Sequence, residues 1–481
     1  MAKTGLDKDL KKIGKLQTAA ASQGKVLLPV GMGLLFLISV LVFTSIRYGD
    51  FSVGYVIAIA AAIGGYMALN IGANDVANNV GPAVGANALT MFGALIIAAV
   101  FESAGALLAG GNVVSTISKG IIDPAMIADS SVFIAAMMAA LLAAALWLNV
   151  ATWIGAPVST THSIVGGVVG AGIAAAGVDI VNWFTMGKIV ASWVISPVMG
   201  GIIAAGLYHL VHMLIYRREN KLGAAVRWVP VLVALMTAAF AAYLMMKGFK
   251  KIWKPSGNLV MLVSIGLLLL VPFAVRPMVS RAANGLDNRR KHVSTLFNIP
   301  LIVSAALLSF AHGANDVANA IGPLAAIVSV AGGDAVGSKV SVPLWVMAIG
   351  GVGISLGLML YGPKLIRVVG KQLTRLDQTR AFCIALAAAI TVIIASILGL
   401  PVSSTHIAVG GIFGVGFLRE MMANRPTREN SEAPLKKREK KRRLVRRQQL
   451  LTIATAWIVT VPSAALLSGT IFFIISKWLT G

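Results

Sequence analysis

Two nearly identical polar boxes, each set in apolar sequence, constrain this chain more than anything else in it. GANDVANNVGP runs from Gly72 to Pro82, and GANDVANAIGP runs from Gly313 to Pro323. The first follows YVIAIAAAIGGYMALNI and leads into ALTMFGALIIAAV. Each box carries an aspartate, Asp75 or Asp316, between asparagines: Asn74 and Asn78 in the first, Asn315 and Asn319 in the second. A second pair of motifs follows. GAPVSTTHSIVGG begins at Gly155 and GLPVSSTHIAVGG at Gly399. Between box and motif, SAGALLAG (Ser103 to Gly110) loosely matches SLGLMLYG (Ser355 to Gly362). Residues 53–178 and 297–418 are therefore two copies of one unit.

The surroundings are those of a membrane. Of the 481 residues, 57% are hydrophobic and 12% charged, whereas a soluble domain is about one-quarter charged. Thirteen apolar segments approach the roughly 20 residues that cross a bilayer as a helix. They cover residues 26–45, 53–82, 86–109, 131–154, 157–178, 186–214, 226–246, 258–276, 297–323, 342–362, 382–399, 401–418 and 452–474. The first follows a basic stretch, residues 1–25, and is too long for a signal h-region, so it reads as a retained span. With the N-terminus in the cytoplasm, the basic loops Arg217–Arg227, Arg276–Lys291, Lys364–Arg380 and Arg419–Arg447 all fall inside, as the positive-inside rule asks. KGFKKIWK, from Lys247 to Lys254, is the exception. The first box then runs inward and the second outward. The expected fold is an all-α polytopic membrane protein with two inverted-topology repeats and half-helices, the plan of many secondary transporters. Residues 186–276 read as inserted scaffold spans, 419–451 as a polybasic cytoplasmic loop and 452–474 as a C-terminal span. The net charge of +24 is concentrated in such loops without interleaved aromatics. This favours contact with anionic lipid headgroups and excludes a nucleic-acid partner. The single cysteine, Cys383, rules out a disulfide framework.

The chemistry follows from the two motif types. Asn74 and Asn78 lie one helical turn apart on one face, with Asp75 in reach of Asn78. Gly72 and Pro82, like Gly313 and Pro323, are expected to break the box helices and free carbonyls. Those oxygens, with Asn74, Asp75, Asn315 and Asp316, suit a hard cation: Na+ at Asp75 and Asp316, or a proton. PVSTTH and PVSSTH do the opposite. Pro157 and Pro401 are expected at the first helical position. Ser159, Thr160 and Thr161, with Ser403, Ser404 and Thr405, are expected to offer donors to an anion at the positive end of a helix. Ordinary N-capping accounts for one hydroxyl per motif, not three. Aspartates cannot hold an anion, but a cation on them lets one enter, so the pattern is that of a cation-coupled anion symporter. His162 and His406 are expected to fix the half-helices by hydrogen bonds. His312 stands where the first copy has Ile71, and so is not expected to be an essential ligand.

The doubled GANDVAN box followed by PVS(T/S)TH resembles the PiT-type inorganic phosphate transporters, over about half the chain. The resemblance implies twelve core spans in two inverted repeats, with the N-terminal span 26–45 added to them. It implies phosphate held between the repeats, with Asp75, Asn78, Asp316, Asn319 and the Ser/Thr residues forming the phosphate and cation sites. Glu102, in FESAG, resembles a glutamate of sodium-coupled relatives and is assigned to cation coupling. Those relatives can carry a second glutamate in an FTIEL-like stretch, where this chain has FCIAL with Ala385. Proton-coupled bacterial relatives often read GFHDTAN in place of GANDVAN. The balance favours sodium, with a proton as the alternative.

The expected partners are inorganic phosphate, the coupling sodium ion or proton, and membrane lipid, with no cofactor. A homo-oligomer is compatible with such a chain, and the expected location is a bacterial plasma (inner) membrane with the N-terminus cytoplasmic. Three rival readings remain: a sulfate permease of the same family, proton-coupled uptake of phosphate or metal-phosphate, and a passive channel. A membrane hydrolase would need a nucleophile with an activating base or a metal cluster, and no such conjunction is present beyond STTH.

Overall fold

A computed structural model describes residues 5–49, 53–127, 129–154, 158–248, 254–337, 342–372, 376–424 and 448–480. A chain in lipid must satisfy its backbone internally, and these residues are helical apart from turns and one isolated antiparallel bridge, Ile122 to Val181. The helices are α1 (Gly5–Tyr48), α2 (Gly54–Asn79), α3 (Gly81–Gly85), α4 (Met91–Ala109), α5 (Gly111–Lys119), α6 (Ser130–Ile154), α7 (Thr160–Ala176) and α8 (Trp183–Val211). They continue with α9 (Lys221–Tyr243), α10 (Gly257–Ala283), α11 (Arg290–Thr295), α12 (Asn298–Ala331), α13 (Leu344–Gln372), α14 (Gln378–Ile397), α15 (Ser404–Ala423) and α16 (Gln448–Thr480). Eleven are long and apolar enough to cross a membrane. The short α7 and its counterpart α15 complete the match, so each of the thirteen expected segments corresponds to a helix.

The two repeats are interlocked. The box helix α2 packs along α13, and its counterpart α12 packs along α4, so each box helix lies on the other repeat. Likewise α8 packs on α15 and α14, while α16 packs on α7 and α6. Ser103 and Ser355, which correspond in sequence, share a 2.6 Å hydrogen bond. Residues that meet their own repeat mates lie on the axis relating the copies.

The expected break in the box helices is found in the first copy and not in the second. Among the described residues, α12 runs without interruption from Asn298 through the second box and Pro323 to Ala331. In the first copy, α2 ends at Asn79, inside the Gly72–Pro82 box, and Pro82 sits in the first turn of α3, where a missing N–H costs little. Gly72 and Gly313 serve a different purpose. A methyl on Gly72 would overlap the Ile354 carbonyl of α13, and one on Gly313 would overlap the Glu102 carbonyl of α4. They are equivalent close approaches of two helices, the small-residue packing that holds membrane helices together.

The discontinuities that matter are the tips of two hairpins, α6–α7 and α14–α15. Each tip brings a helix N-terminus into the buried interior, with Thr160 and Ser404 buried at the start of α7 and α15. Gly399, at φ +69°, makes the second turn. Pro401 does not occupy the first helical position, because Ser403 is the cap and α15 begins at Ser404. The Pro401 carbonyl instead accepts the Trp193 indole N–H at 3.1 Å. Pro157 and the polybasic stretch Lys436–Arg447 lie outside the described residues.

Candidate functional site

Both boxes and both hairpin tips converge on one buried cluster. Helical spacing puts Asn74, Asp75 and Asn78 on the inner side of α2, and Asn315, Asp316 and Asn319 on that of α12. Asp75 and Asp316 are each only 1% exposed. The first asparagine of each box anchors its own hairpin. Asn74 Nδ2 donates to the Val158 carbonyl at 2.8 Å. Asn315 Nδ2 donates to the Leu400 carbonyl at 3.2 Å, and its Oδ1 accepts the Val402 N–H at 3.3 Å. The asparagine one turn further along each box, Asn78 or Asn319, reaches the other repeat. Asn78 Nδ2 donates to Thr405 Oγ1 at 2.7 Å, and Asn319 Nδ2 to Thr161 Oγ1 at 3.2 Å.

The two carboxylates meet at Thr160. Its Oγ1 lies 3.1 Å from Asp75 Oδ2 and 2.8 Å from Asp316 Oδ2. It has one proton and can donate to only one of them at a time. Thr405 Oγ1 donates to Asp75 Oδ1 at 3.0 Å. His312, fully buried, fills the gap behind. Its Nε2 lies 3.6 Å from Asp75 Oδ2 and 3.5 Å from Asp316 Oδ2, and its Nδ1 lies 3.3 Å from Glu102 Oε2. Facing atoms of Asp75, His312 and Asp316 all lie within 4.8 Å of one another, close enough to ligate one ion. Two carboxylates this close in a low-dielectric interior need a positive charge or a proton between them.

The sequence expectations fare unevenly at the level of single side chains. Asp75, Asp316, Asn78, Asn319, Thr160, Thr161 and Thr405 are brought together. Ser159 and Ser403 cap their helices, accepting the N–H of His162 at 3.2 Å and of His406 at 3.4 Å. That is the ordinary cap role of one hydroxyl per motif. Thr161 Oγ1 donates to the Val402 carbonyl at 2.9 Å, tying one hairpin tip to the other. Ser404 Oγ is buried and makes no hydrogen bond. Glu102 touches neither aspartate directly. It accepts from Asn79 Nδ2 at 2.7 Å and faces His312. The His162 and His406 rings meet, centroids 5.0 Å apart, with Trp193 3.9 Å from His162.

His312, expected to be peripheral, stands at the centre of the cluster. It lies one turn before Asp316 on the same helix face, an i, i+4 relation visible in the sequence, but it has no counterpart in the first copy to mark it. Asn79, a third amide of the first box, receives no role from the sequence for a related reason. The second box has Ala320 at its place, and it turns towards Glu102 on α4, a contact no repeat comparison reveals.

Comparison with known proteins gives this site its context. The phosphate transporter family matches residues 71–468. A relative from Helicobacter pylori strain J99, described as "Putative phosphate permease", is 47% identical over 96% of this chain and 98% of its own. One of the same description from Haemophilus influenzae is 35% identical over 89% of this chain and 98% of its own. A solved structure described as "The sodium-dependent phosphate transporter" superposes with a TM-score of 0.79 at 35% identity, covering 88% of this chain and 99% of that one. The interlocked repeats and the doubled box are thus those of an integral membrane protein of known lineage: the chain belongs to the phosphate transporter family.

Proposed function

We propose that this protein carries inorganic phosphate across the membrane in symport with sodium. The observation that carries the reading is the pair of carboxylates, Asp75 and Asp316, reaching one hydroxyl, Thr160, from opposite repeats. A sodium ion between them supplies the missing positive charge and joins the repeats. The anion then binds beside it, at the N-termini of α7 and α15, where first-turn N–H groups have no intrahelical partner. The solved relative is named for its dependence on sodium, which supports sodium here. Kinship with proteins described as permeases supports transport rather than hydrolysis. In this reading Asp75 and Asp316 hold the cation, Glu102 sets the field through His312, and the phosphate sits beside Asn78, Asn319 and the N-termini of α7 and α15, with Ser404 Oγ the hairpin hydroxyl not already committed to a protein acceptor. The membrane is a bacterial plasma membrane, with the N-terminus inside.

One observation favours a second reading. His312 already stands between Asp75, Asp316 and Glu102, where an imidazolium would play the part of the cation and make the coupling ion a proton. Uptake of labelled phosphate into proteoliposomes, with sodium and pH gradients imposed separately, decides between them. Sodium-driven uptake without a pH gradient is expected. Uptake driven only by a pH gradient replaces sodium with a proton, and uptake driven by neither overturns symport.

A further inference from the structure

Helices α8 and α15 touch backbone to backbone, and the contact leaves a groove on the outside of the protein. A methyl on Gly410 would overlap the Pro197 carbonyl, and one on Gly414 the Gly201 carbonyl. Where small residues bring two membrane helices this close, the larger side chains to either side stand apart as walls. Val198, Ile202 and Ala205 of α8 form one wall, and Phe413, Phe417 and Met421 of α15 the other. The groove holds about 680 Å³ and reaches inward to His406 at the hairpin tip. From His406 to Met421 the helix rises about 22 Å, more than the roughly 15 Å of hydrocarbon in one leaflet, half the thickness of the core. Ile202, Phe417 and Met421 are exposed, and in a bilayer that surface faces acyl chains.

The outer end of the groove opens onto a basic cluster. Arg217 follows α8, Arg290 begins α11, Arg380 lies in the first turn of α14 and Arg419 near the end of α15. They are one residue from each of the four basic loops expected on the cytoplasmic side. Arg419 lies in the field of Arg380 and Arg290, and His212 in that of Arg290 and Arg217. A hydrogen-bonded platform carries the cluster. Arg290 donates to the Tyr208 hydroxyl and lies over the Tyr216 ring, 4.6 Å from its centroid. The Tyr216 hydroxyl shares a 2.7 Å hydrogen bond with Thr379 Oγ1, which lies 3.2 Å from Ser294 Oγ. Asp377 neutralises Arg380 at 2.9 Å. Among the described residues, no carboxylate forms an ion pair with Arg290 or Arg419. Two such arginines at the mouth of an apolar groove suit a ligand with an anionic end and an apolar end.

We infer that the groove and the cluster are one binding site for an anionic phospholipid: Arg290 and Arg419 hold its phosphate, and one acyl chain lies along the groove towards His406. Guanidinium groups match phosphate oxygens with paired N–H bonds, and basic pockets between helices on the cytoplasmic side bind anionic headgroups. Free phosphate fits the cluster but leaves the groove empty. A zwitterionic lipid fits the groove but brings its own cation to the arginines. A second copy of the chain, held in the same orientation by the membrane, would set its own arginines against these. The site is independent of the identity of the coupling ion. A lipid there braces α15, whose N-terminus forms the second hairpin tip.

The test is native mass spectrometry of the full-length protein, purified in detergent and washed free of lipid, with phosphatidylglycerol or phosphatidylcholine of the same chains added. The wild type should prefer phosphatidylglycerol. Arg290→Gln combined with Arg419→Gln should weaken its binding roughly 30-fold, about fivefold for each basic side chain, and the corresponding lysine pair should keep the preference. Should the glutamine pair not fold, Arg419→Gln alone leaves the Tyr208 bond intact and should still show the fivefold loss. Ala205→Phe fills the groove without touching the charges and should weaken both lipids alike. A wild type without preference, glutamine variants that bind phosphatidylglycerol as the wild type does, or undiminished binding to Ala205→Phe each overturn the site. A disulfide between copies formed through Ile202→Cys would put a second protein in the groove and overturn it as well.

Discussion

Asp316→Asn and Asp75→Asn test the cation seat most directly, since each keeps size and one acceptor oxygen while removing a charge. A unit charge about 4 Å from an ion, at an effective dielectric of about 20, is worth about 4 kcal/mol. The amide oxygen retains part of this as a dipole, so the net loss is about 2–3 kcal/mol, or roughly 30- to 150-fold in sodium affinity. The two positions differ in a way that sharpens the test. Asp75 Oδ1 accepts from Asn74, Asn78 and Thr405, whereas Asp316 Oδ1 is buried with no donor. An asparagine at 75 either turns its NH2 to the Oδ1 side and loses all three bonds, or to the Oδ2 side, where it displaces the bond from Thr160. An asparagine at 316 disturbs fewer. Asp316→Asn should therefore stay folded and lose sodium dependence cleanly, while Asp75→Asn should lose it and also loosen the contact between α2 and the second hairpin. The assay is initial phosphate uptake into proteoliposomes against sodium concentration, with folding checked by size-exclusion chromatography. If both variants take up phosphate with the wild-type sodium dependence, the aspartates are structural and the cation seat lies elsewhere.

The other expectations are less demanding. Gly313→Leu should prevent folding or insertion, because even a methyl there overlaps the Glu102 carbonyl; recovery of normal amounts of monodisperse protein would show that α4 and α12 do not need their close approach. Trp193→Phe keeps the ring beside His162 but loses the hydrogen bond to the Pro401 carbonyl, so stability should fall by about 1 kcal/mol, and an unchanged melting temperature would refute the anchoring role. Neutralising the basic residues between Lys436 and Arg447 should alter insertion or lipid contact by about 1 kcal/mol per charge but leave uptake per inserted molecule intact, measured against surface-accessible protein.

What is legible in the sequence is what duplication repeats. Two boxes and two hydroxyl motifs, each recurring in apolar context, are enough to place the helices, the inversion and most of the cluster. Side-chain direction is harder to read. Glycine and proline near the boxes look like helix breakers, yet the structure uses Gly72 and Gly313 as contact points against another helix, and α12 runs straight through Pro323. Sequence spacing reports that a residue has no side chain; it does not report what lies opposite. The hydroxyls look like anion donors because a helix N-terminus attracts anions, but a carboxylate at 2.8 or 3.0 Å competes for the same protons. That competition exists only once both repeats are assembled. The least legible part is the asymmetry. His312 and Glu102 have no counterparts in the other copy, where Ile71 and Ile354 stand, and a reading built on repetition discounts such residues. A symmetric pair of aspartates would hold a cation equally from either side. A histidine from α12 and a glutamate from α4 place a titratable pair on one side of the two aspartates, so on the proposed reading the two repeats would not bind or release the ion equivalently. The departure from the repeat, rather than the repeat itself, is therefore where the direction and the identity of the coupling ion are to be sought.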